Sequence, residues 1–331
     1  MMRPSIRLIG LVTLFGALTV ALPADDTRWR SLSQDAERAK VRGDFAAAEA
    51  SALQALAEAK RLFGGEDSRV GFSLAYLGTV YLSLGKYPQA ERALRQAVAL
   101  AESAADSETL AVALDALAAL YAELGGRERE VEALRKRAVD LARTALGPAD
   151  PFVGMLLARL AQSLIGRGLF DDAETMLEQA LRPLDERALP LQIAEIWVSR
   201  GAVAFHLGNY PEALKRVDRA IGLYEAALGP RHPMLIVPLL TAGQIRLTTG
   251  QLAAAKQNIE RARSIAVSAL PDGHPLLVDV LMLQAEVLRK SGKKREAREF
   301  ERKAKAIAAL QRADRNALNY RIHVSDLAAS Q

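Results

Sequence analysis

The sequence predicts an all-α protein, a solenoid of seven antiparallel helix pairs. Three observations predict it. First, shifting the chain against itself by about forty-two residues returns the same small residues in the same order, and self-similarity at a fixed period of that length is the mark of stacked repeats. Second, the apolar residues keep helical spacing: Ala90, Leu94, Ala97, Val98 and Ala101 fall at i, i+4, i+7, i+8 and i+11, one face of a helix. Third, half of the 331 residues are apolar but only 5% are aromatic, a composition that suits stacked helices better than a sheet.

The elements follow in chain order. Each unit opens with a helix centred on a small residue: Ala36, Gly78, Ala118, Ala161, Gly201, Gly243 and Ala285. A turn glycine ends that helix, at Gly43, Gly85, Gly125, Gly168, Gly208, Gly250 and Gly292. The second helix carries two more small positions. The first of these is Ala48, Ala90, Val131, Ala173, Ala213, Ala255 and Ala297, and the second is Ala55, Ala97, Ala138, Ala180, Ala220, Ala262 and Ala304. The third unit holds an extra residue, the doubled Gly125-Gly126, so its second helix is displaced by one. Small side chains at these points let helix axes approach to about 8–10 Å. A lone pair cannot bury its apolar face, so each unit needs neighbours. No internal domain boundary is expected.

The spacing of twelve and then seven residues between small positions, with Tyr81 and Tyr121 before the turn, resembles the tetratricopeptide repeat. The period near forty-two and the unit endings ALGPADP (145–151), ALGPRHP (227–233) and ALPDGHP (269–275) resemble the kinesin-light-chain-like branch of that family. The likeness spans roughly residues 29 to 310. It implies an all-α, right-handed superhelical solenoid of about seven repeats that binds a protein or peptide through its concave face.

The two ends differ from the repeats. Residues 1–24 combine Arg3 and Arg7, an apolar core from Leu8 to Val20, and small residues at Ala21 and Ala24. That pattern reads as a secretory signal peptide, cut after Ala21 or Ala24. It predicts a secreted or periplasmic protein with no stable membrane span once the signal is removed, since a span needs about 20 apolar residues. An uncleaved anchor or an unrelated apolar tail is the rival reading. The chain has no cysteine, which excludes disulfides and a lipidated cysteine. Residues 311–331 fall outside the repeat and default to a disordered tail.

Forty-four basic residues face thirty-nine acidic ones, and a cleaved leader would take two of the basic ones, leaving an excess of three. The excess is local: residues 289–315 hold eleven Lys or Arg against four Asp or Glu. The preferred reading is a polar cap for the last repeat, whose outer face must meet water. The alternative is a cytoplasmic regulatory repeat protein whose basic end contacts an acidic partner or nucleic acid. Nucleic acid is disfavoured because only Phe300 could stack a base there and Glu296, Glu299 and Glu301 interrupt the charge.

Catalytic and metal signals are missing. The sequence has no GxxxxGK[ST] loop, no GxSxG elbow, no GxGxxG after a strand and no Cys nucleophile. Asp171 and Asp172 are adjacent, and neighbours on a helix do not face each other. His232 and His274 occupy one repeat position, shared with Asp67 and Asp150, at helix starts followed in three of the four cases by proline. Asp150 is expected to cap its helix. Successive repeats hold the histidines too far apart to share zinc at about 2.0–2.1 Å. No enzyme, cofactor or metal is therefore expected.

Binding remains. In the family, the residue after the first small position often touches an extended peptide; here those are Glu37, Thr79, Ala119, Gln162, Ala202, Gln244 and Glu286. Only Gln162 and Gln244 carry the amide that pairs with a peptide backbone. Three positions before the small residue stand Ser33, Ala75, Asp115, Ala158, Val198, Leu240 and Met282. None is basic, so a carboxylate clamp is not expected. Leu82, Ala122, Ile165, Phe205 and Leu247, with Val198, Leu240 and Met282, either floor an apolar groove or seal one helix layer against the next. The candidate partner-binding residues are Arg159, Gln162, Ser199, Phe205, His206 and Gln244, with Phe205 and His206 the pair placed first.

Overall fold

The computed structural model describes residues 26–270 and 272–310. The expected signal peptide at 1–24 and the expected tail at 311–331 lie outside the described residues. Among those described there are fourteen α-helices, one 3-10 turn and no strand, so the chain is an all-α stack of helix pairs. It divides into two compact units between Leu184 and Asp185.

The first unit contains four pairs: α1 (Thr27–Val41) with α2 (Phe45–Phe63), α3 (Ser68–Ser83) with α4 (Tyr87–Ser103), α5 (Ser107–Leu124) with α6 (Glu128–Leu146), and α7 (Pro151–Gly166) with α8 (Phe170–Leu181). The second contains three. They are α9 (Pro190–His206) with α10 (Tyr210–Leu228), α11 (Ile236–Thr248) with α12 (Leu252–Ala269), and α13 (Pro275–Lys290) with α14, residues 294–310. A 3-10 turn, Pro233–Leu235, precedes α11, so this helix starts later than the proline alone suggests. Within each unit a helix packs on its pair partner and on the start of the next pair. Odd-numbered helices also touch one another, α3 on α5, and α9 and α13 on α11. The odd helices therefore form the inner layer.

The repeat signature explains the packing. All twenty-one small positions, Val131 included, are buried. The glycines among them sit where a side chain has no room: a Cβ on Gly78 would lie 2.6 Å from Leu94, and one on Gly243 would lie 2.6 Å from Ile259. Ridge-into-groove contact of this kind supplies most of the core, since dense packing leaves few voids. Each first helix ends at its turn glycine in the left-handed region, Gly85 at φ +69° for example, which costs a glycine little. The doubled Gly125-Gly126 has both residues left-handed, and it absorbs the extra residue of the third unit.

Helix starts follow the expected chemistry. Asp67, Asp106 and Asp150 cap α3, α5 and α7, their carboxylates accepting backbone N–H bonds from Arg69 at 2.9 Å, Thr109 at 3.0 Å and Phe152 at 2.7 Å. Such a cap satisfies one of the orphan donors of the first turn. No helix among the described residues is long and apolar enough to cross a membrane.

Candidate functional site

The inner layer differs between the units. In residues 26–184 a buried ion-pair cluster joins α5, α6 and α7. Asp115 on α5 is fully buried and pairs with Arg159 on α7. Arg135 reaches in from α6, its Nη1 donating to the Arg159 carbonyl at 2.6 Å and to Ser163 Oγ at 2.7 Å, with Nε 4.0 Å from Asp115 Oδ1. Arg135 stands four residues after Val131, in the register of Leu94, Leu177, Val217 and Ile259, which are core residues in other units. A guanidinium in a core position needs a carboxylate, because an isolated buried charge is very costly. Asp115 supplies it.

Lys40 on α1 extends this polar lining. Its Nζ is buried with no hydrogen-bond partner among the described residues and lies 5.3 Å from the centre of the Tyr76 ring. Tyr76 donates its hydroxyl to Glu37 at 2.9 Å. Burial pushes the Lys40 pKa down to about 8; Glu37 opposes that shift and Arg159 adds to it. A lysine whose folded pKa lies below the unfolded value binds fewer protons when folded, so stability rises with pH across the gap. Urea midpoints should therefore rise between about pH 8 and about pH 9, short of the phenol pKa of about 10, and Lys40→Met should remove that rise.

The residues singled out from sequence separate accordingly. Arg159 is buried in its ion pair, and Ser199 on α9 is fully buried with its hydroxyl donating to the Glu195 carbonyl at 3.2 Å. Neither offers a free side chain to a partner. Gln162 is half-buried on α7. In residues 185–310, Phe205 is half-buried at the end of α9, with its ring 5.6 Å from those of His206 and Tyr210, and His206 is exposed. Gln244 on α11 is half-buried, with a buried Oε1 that has no hydrogen-bond partner among the described residues. Gln284 on α13 leaves its Oε1 in the same condition, and Met282 beside it is exposed.

The expected apolar floor also divides. Val198, Leu240 and Leu247 are buried and seal helix layers, whereas Leu82, Ile165 and Phe205 are half-buried and Ala122 and Met282 exposed. Phe205, His206, Gln244 and Met282 thus leave polar and apolar surface available on the inner layer of the second unit. Among the described residues there is no group of three or more His, Cys, Asp or Glu placed to hold a metal ion.

Comparison with known proteins agrees with the repeat signature. Residues 39–103 and 192–266 match the family model of the tetratricopeptide repeat. No functionally curated protein matches the sequence. Among solved structures, a Rap protein complexed with Competence and Sporulation Factor superposes with a TM-score of 0.63 at 16% identity, covering 87% of each chain. The Cut9-Hcn1 hetero-tetramer of the APC/C gives 0.60 at 13% identity over 86% of this chain and 51% of that one. A tetratricopeptide repeat protein from Parabacteroides merdae gives 0.50 at 16% identity over 85% and 93%. At these identities the likeness concerns the fold. Residues 39–103 and 192–266 are thus tetratricopeptide repeats, and the other helix pairs of the chain share their fold.

Proposed function

We propose that the protein is a non-catalytic, exported scaffold that holds an extended segment of another protein on the inner layer of residues 185–310. The observation that carries this reading is Gln244. Its carbonyl oxygen, buried and without a partner among the described residues, costs about 1–3 kcal/mol while no donor reaches it, and on turning outward it would accept a backbone N–H of an added segment. Phe205 and Met282 give that segment half-buried and exposed apolar contacts beside it. In the first unit the candidate Arg159 is already engaged with Asp115, so the second unit is the favoured place. Tetratricopeptide repeats generally serve as interaction scaffolds, and the leader at 1–24 supports export.

A peptide selected on the full chain from a random display library serves as probe. Phe205→Ala should weaken its binding by about tenfold, the cost of truncating one interfacial aromatic anchor by more than 1 kcal/mol. Unchanged affinity would mean that the ring only packs within its own unit.

One observation favours a second reading, the cytoplasmic regulatory protein with a basic working end. Arg295, Arg298, Arg302 and Lys305 are exposed and recur at i, i+3, i+7 and i+10 on α14, one face of that helix. Two neighbouring carboxylates are already engaged, Glu301 with Arg289 and Glu296 with Lys293. Binding to a polyanion that falls steeply with salt would support this reading, and recovery of the native chain with Met1 intact from cytoplasm would reject export.

A further inference from the structure

The inner helices of the two units are capped by different chemistry. In residues 26–184 the caps are carboxylates: Asp67, Asp106 and Asp150. In residues 185–310 two of the three equivalent positions are imidazoles, while Leu189 before α9 offers no side-chain cap. His232 Nδ1 accepts the N–H of Met234 at 3.3 Å at the start of the 3-10 turn leading into α11. His274 Nδ1 accepts the N–H of Leu276 at 3.2 Å at the start of α13. Both bonds need Nδ1 unprotonated, with the ring proton on Nε2.

We infer that these two histidine caps make residues 185–310 an acid-sensitive unit, while the carboxylate-capped unit keeps its inner helices capped over the same pH range. When Nδ1 takes up a proton it turns from acceptor to donor and faces a backbone N–H that is also a donor. The cap is lost, and a positive charge is left at a helix N-terminus, where the macrodipole disfavours it. Carboxylate caps remain ionised acceptors until far lower pH. The change follows proton uptake as pH falls below the ordinary histidine pKa of about 6.5.

The surroundings support the direction. His274 has its pKa lowered from 6.5 by burial, the one influence found to shift it. Asp272 precedes it in the same turn. Near the His232 turn stand Arg231 and the ion pair between Glu225 of α10 and Arg261 of α12, and Arg261 also donates to the Pro230 carbonyl at 2.7 Å. A histidine whose folded pKa is lowered contributes stability that is complete above the unfolded value and is lost as pH falls through the folded one. The inference goes beyond partner binding and does not depend on it.

The test is amide hydrogen exchange on the full chain, expressed as protection factors so that the intrinsic pH dependence of exchange is removed. Between about pH 7.5 and about pH 5, protection in the first turns of α11 and α13 should fall by about tenfold, the effect of losing a cap and adding an unfavourable charge. Protection in the first turns of α3, α5 and α7 should hold. The double variant His232→Asp/His274→Asp should keep its protection at the lower pH. Its folding is not in question, because Asp150-Pro151 already forms this cap within the chain. Equal loss in both units, no loss in α11 and α13, or a loss that persists in the double variant would each overturn the inference.

Discussion

Asp115→Ala should destabilise residues 26–184 by about 3–5 kcal/mol, the cost of stranding a buried ion-pair partner. Two guanidiniums depend on this one carboxylate. Arg159 pairs with it directly, and Arg135 lies at its edge while bonding the Arg159 carbonyl. All three residues are buried, Asp115 completely, so water cannot take over the role of the lost carboxylate. Urea denaturation followed in this unit reads the loss. The triple variant Asp115→Ala/Arg135→Leu/Arg159→Met should recover much of it, since well-packed apolar groups often replace a buried ion pair without penalty. Leucine at 135 also restores the residue type that stands in that register at Leu94 and Leu177. A single variant as stable as the wild type would mean that the cluster is solvated.

Gly201→Trp should disrupt the second unit by more than the 1–3 kcal/mol typical of an overpacked core. A single Cβ at position 201 would already lie 2.5 Å from Val217 Cγ2 and 3.2 Å from the Ala213 carbonyl. An indole cannot enter without separating α9 from α10. Gly222 on α10 is the internal control: it has open space around the Cβ position, and Gly222→Ala should stabilise its helix by roughly 0.5–1 kcal/mol. Thermal melts of the two variants should therefore move in opposite directions. An unchanged melt for Gly201→Trp would contradict the register of the whole repeat.

The helix pairs were legible in sequence because packing dictates residue size. Gly78, Gly201 and Gly243 stand where the facing Leu94, Val217 and Ile259 leave no space, so a backbone contact is written directly as a missing side chain. The inner layer was harder to read because its chemistry lies in pairs from different helices. Asp115 drew notice only as a position lacking a positive charge, and its partners Arg135 and Arg159 lie 20 and 44 residues further on. A usable signal did exist. Arg135 holds a core register position, and Lys40 holds the position of Leu82, Ile165 and Leu247, so charges at apolar positions marked the buried polar groups. Phe205 and His206 stand at the end of α9. Arg159 and Ser199 lie on the buried side of their helices, a rotation that periodicity near a helix face does not resolve.

The most direct test of the account is photo-crosslinking to the display-selected peptide from single positions on the full chain. A photoreactive residue replacing His206 or Gln244 should label the peptide, and one replacing Lys215 on the outer helix α10 should not. Labelling from position 215 with none from 206 or 244 would contradict binding on the inner layer.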